Sequence, residues 1–119
     1  MSNALSKLFA GLALAVTCLS ANAYVVGGAA SSLIPSSGNW AWNGSYMTGF
    51  RGALENAAYF GPAGIVNRTI TTTNLTAVNS STLAGVDMFV GTWVADSEGA
   101  GFSAAIMNYF LGGGDLFLL

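Results

Sequence analysis

Two runs decide the fold: Val86-Asp87-Met88-Phe89-Val90-Gly91-Thr92, and Gly112-Gly113-Gly114-Asp115-Leu116-Phe117-Leu118-Leu119. The first is an apolar run suited to a buried strand. A turn follows through Trp93 to Asp96. Asp96 or Ser97 stands where a helix cap is needed, and Glu98 falls in the first turn, where the helix dipole favours a negative charge. Phe102, Ile106, Tyr109 and Phe110 give a helix over 97–111 its buried stripe. The three glycines stop it, and 115–119 read as a second buried strand. Strand, helix, glycine stop and strand form a βαβ unit, which requires a parallel sheet with a right-handed crossover. The class is therefore α/β, with helices flanking a parallel sheet.

Working back toward the amino end, Tyr24-Val25-Val26-Gly27-Gly28-Ala29-Ala30 predicts a short strand and a glycine turn. Residues 31–44 are rich in Ser, Gly, Pro and Asn and predict a loop. A helix over about 44–60, capped by Asn43 or Ser45, would bury Met47, Phe50, Leu54 and Ala57/Ala58. Arg51 and Glu55 form an i,i+4 pair on its other face. Gly61-Pro62 stops this helix, and Gly49 and Gly52 weaken it by about 1 kcal/mol each against Ala. The β-branched run Ile65-Val66-Asn67-Arg68-Thr69-Ile70-Thr71 predicts a strand. Residues 72–84 predict a loop with a helical turn near 80–84. Asp87 opens a strand and is expected to be satisfied by local backbone.

The first 23 residues predict a secretory signal peptide. Lys7 supplies the positive n-region, and residues 8–19 supply an apolar core too short for the roughly 20 residues of a bilayer span. Ala21-Asn22-Ala23 is a small-x-small cleavage site, so the exported chain would begin at Tyr24. Lipidation at Cys18 is the alternative, but Thr17 before it matches a lipobox poorly. No later apolar stretch is long enough to hold the chain in a membrane. Removing 23 residues from 119 leaves 96. In these, two arginines (Arg51, Arg68) stand against five acids (Glu55, Asp87, Asp96, Glu98, Asp115), for a net charge of −3. They hold no Cys, so no disulfide can staple them. The whole chain has no His, one Cys and three Lys+Arg. Nucleic-acid binding is excluded by the shortage of cations. A His/Cys metal site and a His-activated nucleophile are excluded by the missing ligands. The glycine runs lack the phosphate-loop pattern. No cofactor is expected.

Residues 83–92, the following helix, and Phe110-Leu111-Gly112-Gly113-Gly114-Asp115 with the apolar run after it resemble class I glutamine-amidotransferase-like domains. The likeness is to their exported, trehalose-utilisation-type relatives. Residues 44–71 resemble them more loosely. The resemblance implies a flavodoxin-like, three-layer α/β fold. It also implies a Cys nucleophile in the turn after the strand at 115–119, with His and acid partners further on. The sequence ends before that turn, so no catalytic residue carries over. The Gly- and Asn-rich style behind a signal peptide is also similar to exosortase-sorted (PEP-CTERM) bacterial surface proteins. A close on Leu-Phe-Leu-Leu predicts that 24–119 are the N-terminal part of such a domain, whose remainder would be its first partner. The alternative is a small domain that ends on a central strand.

In open parallel sheets, ligands bind beyond the carboxyl ends of the strands. Three predicted loops lie there: 27–44, 72–80 and 92–97. They carry Trp40, Trp42, Asn43, Trp93 and Asp96, which could stack on a sugar ring and bond its hydroxyls, making a carbohydrate or cell-surface partner the candidate. The plainer reading makes the tryptophans lids and Asp96 a cap. Asp96 and Glu98, two apart, do not face each other as an acid/base pair. Asn43, Asn67, Asn74 and Asn79 open Asn-x-Ser/Thr triplets, which are glycan acceptors only in a eukaryotic secretory setting. The sequence thus predicts an exported bacterial α/β binding or structural module. Two rivals remain: the N-terminal half of an enzyme with its nucleophile past Leu119, and an all-β adhesin-like protein suggested by Thr69–Thr82 and the glycines.

Overall fold

The computed structural model describes residues 22–119. The expected leader, including Ala21 of its cleavage site, falls almost wholly outside them; Ala23 lies just ahead of the first strand. Four strands form one sheet: β1 (Tyr24–Ala29), β2 (Ile70–Leu75), β3 (Met88–Gly91) and β4 (Asp115–Leu118). Their order is β2-β1-β3-β4, and every pairing is parallel. Helical segments connect them: α1 (Thr48–Leu54), α2 (Ser80–Leu83), α3 (Asp96–Gly99) and α4 (Ser103–Leu111). Short 3₁₀ turns at Pro35–Ser37 and Ser45–Met47 precede α1. The all-β alternative is overturned, because helical segments lie between the parallel strands.

Side-chain alternation sends β3 into both halves of the core. Phe89 joins Ala29, Ile34, Leu75, Leu83 and Phe102 on the side of α2 and α4. Val90 joins Val26, Trp42 and Met47 on the side of α1, with Phe50 and Leu54 against them. The result is three layers: helix, sheet, helix. Among the described residues, no helix is long and apolar enough to cross a membrane.

Several local expectations shift. The second strand is not Ile65–Thr71 but Ile70–Leu75, paired in register from Tyr24↔Ile70 to Ala29↔Leu75. Ile65 is instead 83% exposed in the preceding loop. The threonine run is β-branched and suits an edge strand with one wet side. The helix expected over 44–60 begins as a 3₁₀ turn behind Gly44 and stops at Leu54, leaving Ala57 and Ala58 exposed. Glu55 accepts a hydrogen bond from Thr72 Oγ1 across to β2. The helix expected over 97–111 breaks into α3 and α4 at Ala100-Gly101-Phe102. Its cap position is Ala95, so Asp96 is the first helical residue and makes no side-chain cap. Asp87 is satisfied by backbone far away in sequence: Val25 N–H donates to its Oδ2 at 2.7 Å.

The glycine stop has a physical cause. Gly113 adopts φ +98°, a region open to Gly and strained for other residues. Gly114 lies against the Tyr109 ring, in space that a Cβ would need. β4 departs from the expected burial. It is an edge strand, with Leu116 half-buried and Phe117, Leu118 and Leu119 exposed at 42%, 70% and 57%. Phe117 stacks on Phe50 with ring centroids 6.0 Å apart, which ties β4 to the α1 side.

Candidate functional site

β1 and β3 are neighbours, yet the chain leaves β1 for β2 on one side and returns past it to β3 on the other. This is the topological switch point, where loops diverge and open a crevice above the strand ends. A recess of about 390 Å³ lies there. Its walls include Ser36, Ser37, Asn39, Trp40, Tyr46 and Trp93.

The floor is a clamp between the two loops. Ser37 is 3% exposed and follows Pro35 in the 3₁₀ turn after β1. Its hydroxyl donates to Glu98 Oε2 at 2.7 Å and accepts from Ala95 N–H at 3.1 Å. Ser36 N–H donates to Glu98 Oε1 at 2.6 Å. Both oxygens of Glu98 are therefore engaged. Desolvation pushes this carboxyl up, but the bonds from Ser37 and Ser36 outweigh it and hold Glu98 below the usual glutamate range.

The rim is aromatic. Trp40, Tyr46 and Trp93 are 40%, 60% and 58% exposed. Trp40 and Tyr46 meet edge to face, with centroids 5.0 Å apart and planes at 72°. Tyr46 N–H donates to the Asn39 carbonyl at 3.2 Å, and Gly44 N–H to the Ala41 carbonyl at 2.7 Å. A Cβ on Gly44 would collide with the carbonyls of Gly38 and Asn39, so this return of the chain requires glycine. Asn39 Oδ1 accepts a long bond of 3.4 Å from Ser45 Oγ.

The five ligand candidates from the sequence separate. Trp40 and Trp93 share the recess. Trp42 is 1% exposed in the core, its backbone N–H bonded to the Ala29 carbonyl and its Nε1 without a partner among the described residues. Asn43 holds the loop after β1, accepting from Ser31 N–H at 2.8 Å and donating to Ser31 Oγ. Asp96 borders a different, mainly apolar cavity of about 330 Å³ beneath α3. Sequence reasoning missed Ser36, Ser37, Asn39, Tyr46 and Glu98. Glu98 is 61 residues from Ser37, and no local spacing announces that contact. The six-residue interval from Trp40 to Tyr46, closed by a glycine, is the one signal that was present.

The other end of the sheet gathers titratable groups that are spent on internal partners. Tyr24 OH donates to Asp115 Oδ2 at 2.5 Å, and the Arg68 guanidinium lies 4.5 Å over the Tyr24 ring. Burial, then the bond to Asp115 and its charge, push the Tyr24 phenol up to about 12. Tyr109 OH donates to the Val86 carbonyl at 2.9 Å. Its phenol is also raised, by burial first and then by Asp115 and Asp87. A wider cavity of about 570 Å³ lies between α2 and α4, lined in part by Asn79, Ser80, Asn108 and Tyr109. There Asn79 forms a capping box with Thr82, and Tyr109 is bound to Val86. Among the described residues, no three of His, Cys, Asp or Glu converge on a metal position.

The fold and this recess define a small parallel-sheet α/β domain with an open polar surface at the switch point. No family model, no curated protein and no solved structure matches the chain.

Proposed function

We propose that the chain is an exported bacterial α/β binding module whose ligand sits over the carboxyl ends of β1 and β3. The observation that carries this is the rim of three exposed aromatics around one polar recess at the switch point. Single exposed hydrophobics are ordinary, whereas three gathered at one crevice mark a contact surface. Export is supported by the leader read in residues 1–23. Cleavage after Ala23 would leave β1 whole, since its ladder begins at Tyr24 with the bond from Tyr24 N–H to the Thr69 carbonyl. Solution NMR of the full chain against a chemically mixed fragment collection tests the reading. Shift changes should centre on Ser36, Asn39, Tyr46 and Trp93; binders that map only elsewhere would refute it.

The strand order favours a second reading. β2-β1-β3-β4 is how a flavodoxin-like 2-1-3-4-5 sheet begins. Flavodoxin-like sheets in general share this order, amidotransferase-like domains among them, and we keep as the second reading an enzyme whose nucleophile lies past Leu119. The reading frame after Leu119 decides between them. A Cys or Ser in a tight turn directly after β4, followed by a His, supports the enzyme; their absence leaves the binding module.

A further inference from the structure

We infer that the recess takes a neutral, hydroxyl-rich ring of the sugar class and rejects anions. The inference rests on the binding-module reading and narrows it. The first ground is charge. Among the described residues, no charged side chain lines the recess, and two residues of its wall, Ser36 and Ser37, hold the Glu98 carboxylate behind them. Among the described residues, no cation lines the recess to offset it. Arg68 is committed to Tyr24 at the opposite end of the sheet, Arg51 belongs to α1, and no Lys follows Lys7 in the sequence. A phosphate, sulfate or carboxylate brought here would find no cation in the walls and the like charge of Glu98 just behind them.

The second ground is the kind of surface. Trp40, Tyr46 and Trp93 line the recess beside Ser36 and Asn39 and are substantially exposed, and this mixture of aromatic and polar surface suits a ligand with an apolar C–H face and a hydroxyl edge. A purely apolar ligand would strand Ser36 and Asn39 without partners, at the cost that attends any buried polar group. Such a ligand has better homes in the cavity bordered by Phe89 and Phe102, or in the groove along Ile106, Phe110 and Leu116. The third ground is spare bonding capacity. Asn39 Oδ1 holds only the long 3.4 Å contact from Ser45 among the described residues, so a side-chain amide with room for closer partners stands beside the rings. Trp40 and Tyr46 already meet edge to face, so this part of the rim is assembled before a ligand arrives.

Affinity electrophoresis of the full chain in native gels tests this. The probes are two neutral polymers, laminarin and hydroxyethyl cellulose, and one acidic polymer, polygalacturonate. At least one neutral polymer should retard the chain, while polygalacturonate should not. Trp40→Ala and Trp93→Ala should each weaken retardation by about tenfold or more, as expected for loss of a stacking platform. Trp40→Phe should retain part of it. Circular dichroism and urea midpoints of the variants establish whether folding is intact. Retardation by polygalacturonate, with or without the neutral polymers, or by neither neutral polymer, overturns the inference. The binding-module reading survives either result if the NMR fragments still map to the recess, so the two failures are distinct.

Discussion

The two ends of the sheet carry similar residue types and use them in opposite ways. At the amino end, Tyr24, Asp87, Tyr109 and Asp115 are tied to one another or to backbone, and Gly114 leaves room for the Tyr109 ring. At the carboxyl end, Glu98 is tied down but Trp40, Tyr46 and Trp93 stay in water above it. One end consumes its polar groups in holding β1, β3 and β4 together. The other uses one carboxylate to hold two loops and leaves the rings free. The difference shows how a small parallel sheet separates frame from site: polar atoms with internal partners stabilise, and those left with spare capacity are open to a ligand.

The hardest blow to the frame should come from Trp42, although it sits two residues from the rim. Its side chain is 1% exposed among Val26, Met47 and Val90. Trp42→Ala should destabilise the chain by about 3–5 kcal/mol, the usual cost of deleting a buried aromatic. A urea midpoint that barely moves would show that this loop is not part of the core. At the amino end, Gly114→Ala should cost about 1–3 kcal/mol, because the added methyl must displace the Tyr109 ring. The same denaturation measurement reads it. Made on top of Tyr109→Ala, the Gly114→Ala change should lose most of that cost, since the ring it displaces is gone.

The two ends should also fail at opposite extremes of pH. Glu98 titrates below its unfolded value. Its stabilisation is present above the unfolded pKa and is lost as pH falls through the lower folded one. The Tyr24 phenol is raised to about 12 from 10.0. Its stabilisation is present below the unfolded pKa and is lost as pH rises from about 10 through 12. Glu98→Gln should therefore lower the urea midpoint at pH 7 and flatten its fall in acid, below the ordinary glutamate range of about 4.3. An acid limb unchanged by Glu98→Gln would break the comparison. Tyr24→Phe should cost less, under about 1 kcal/mol, since the bond it deletes is exposed to water. Ultraviolet titration should then show one late-ionising phenol fewer.

How far the sequence reveals these two ends depends on how local their signals are. The βαβ unit at 86–119 and the parallel sheet were legible, because apolar runs, a 3.6-residue stripe and a glycine stop are written consecutively. The second strand lies further along than its composition suggests. Ile65-Val66 looks more strand-like than Thr71-Thr72-Thr73, and only pairing with β1 chooses the threonines. The helix at 97–111 reads as one piece, because nothing in Gly99 or Gly101 distinguishes a weak helix from a broken one. At the site, Trp40 and Trp93 were legible as aromatics on loops beyond strand ends. That Trp42 turns inward was not, since loop composition does not say which side chain faces the sheet. Glu98 reads as a first-turn acid, and its work as a clamp is a contact between distant loops.

The finest test of the comparison is Trp40→Ala. If the rim is separate from the frame, removing a side chain that is 40% exposed should shift stability by no more than about 0.5 kcal/mol. That is several-fold less than the same substitution two residues later. Fluorescence sharpens the contrast. Trp40 and Trp93 face water and should emit to the red, while Trp42 is enclosed and should emit to the blue. Trp40→Ala should therefore move the emission maximum blueward while the urea midpoint holds. A large loss of stability would mean that Trp40 braces Tyr46 and the return through Gly44 as part of the fold. The rim would then belong to the frame, and the recess would lose its claim as a surface kept open for a ligand.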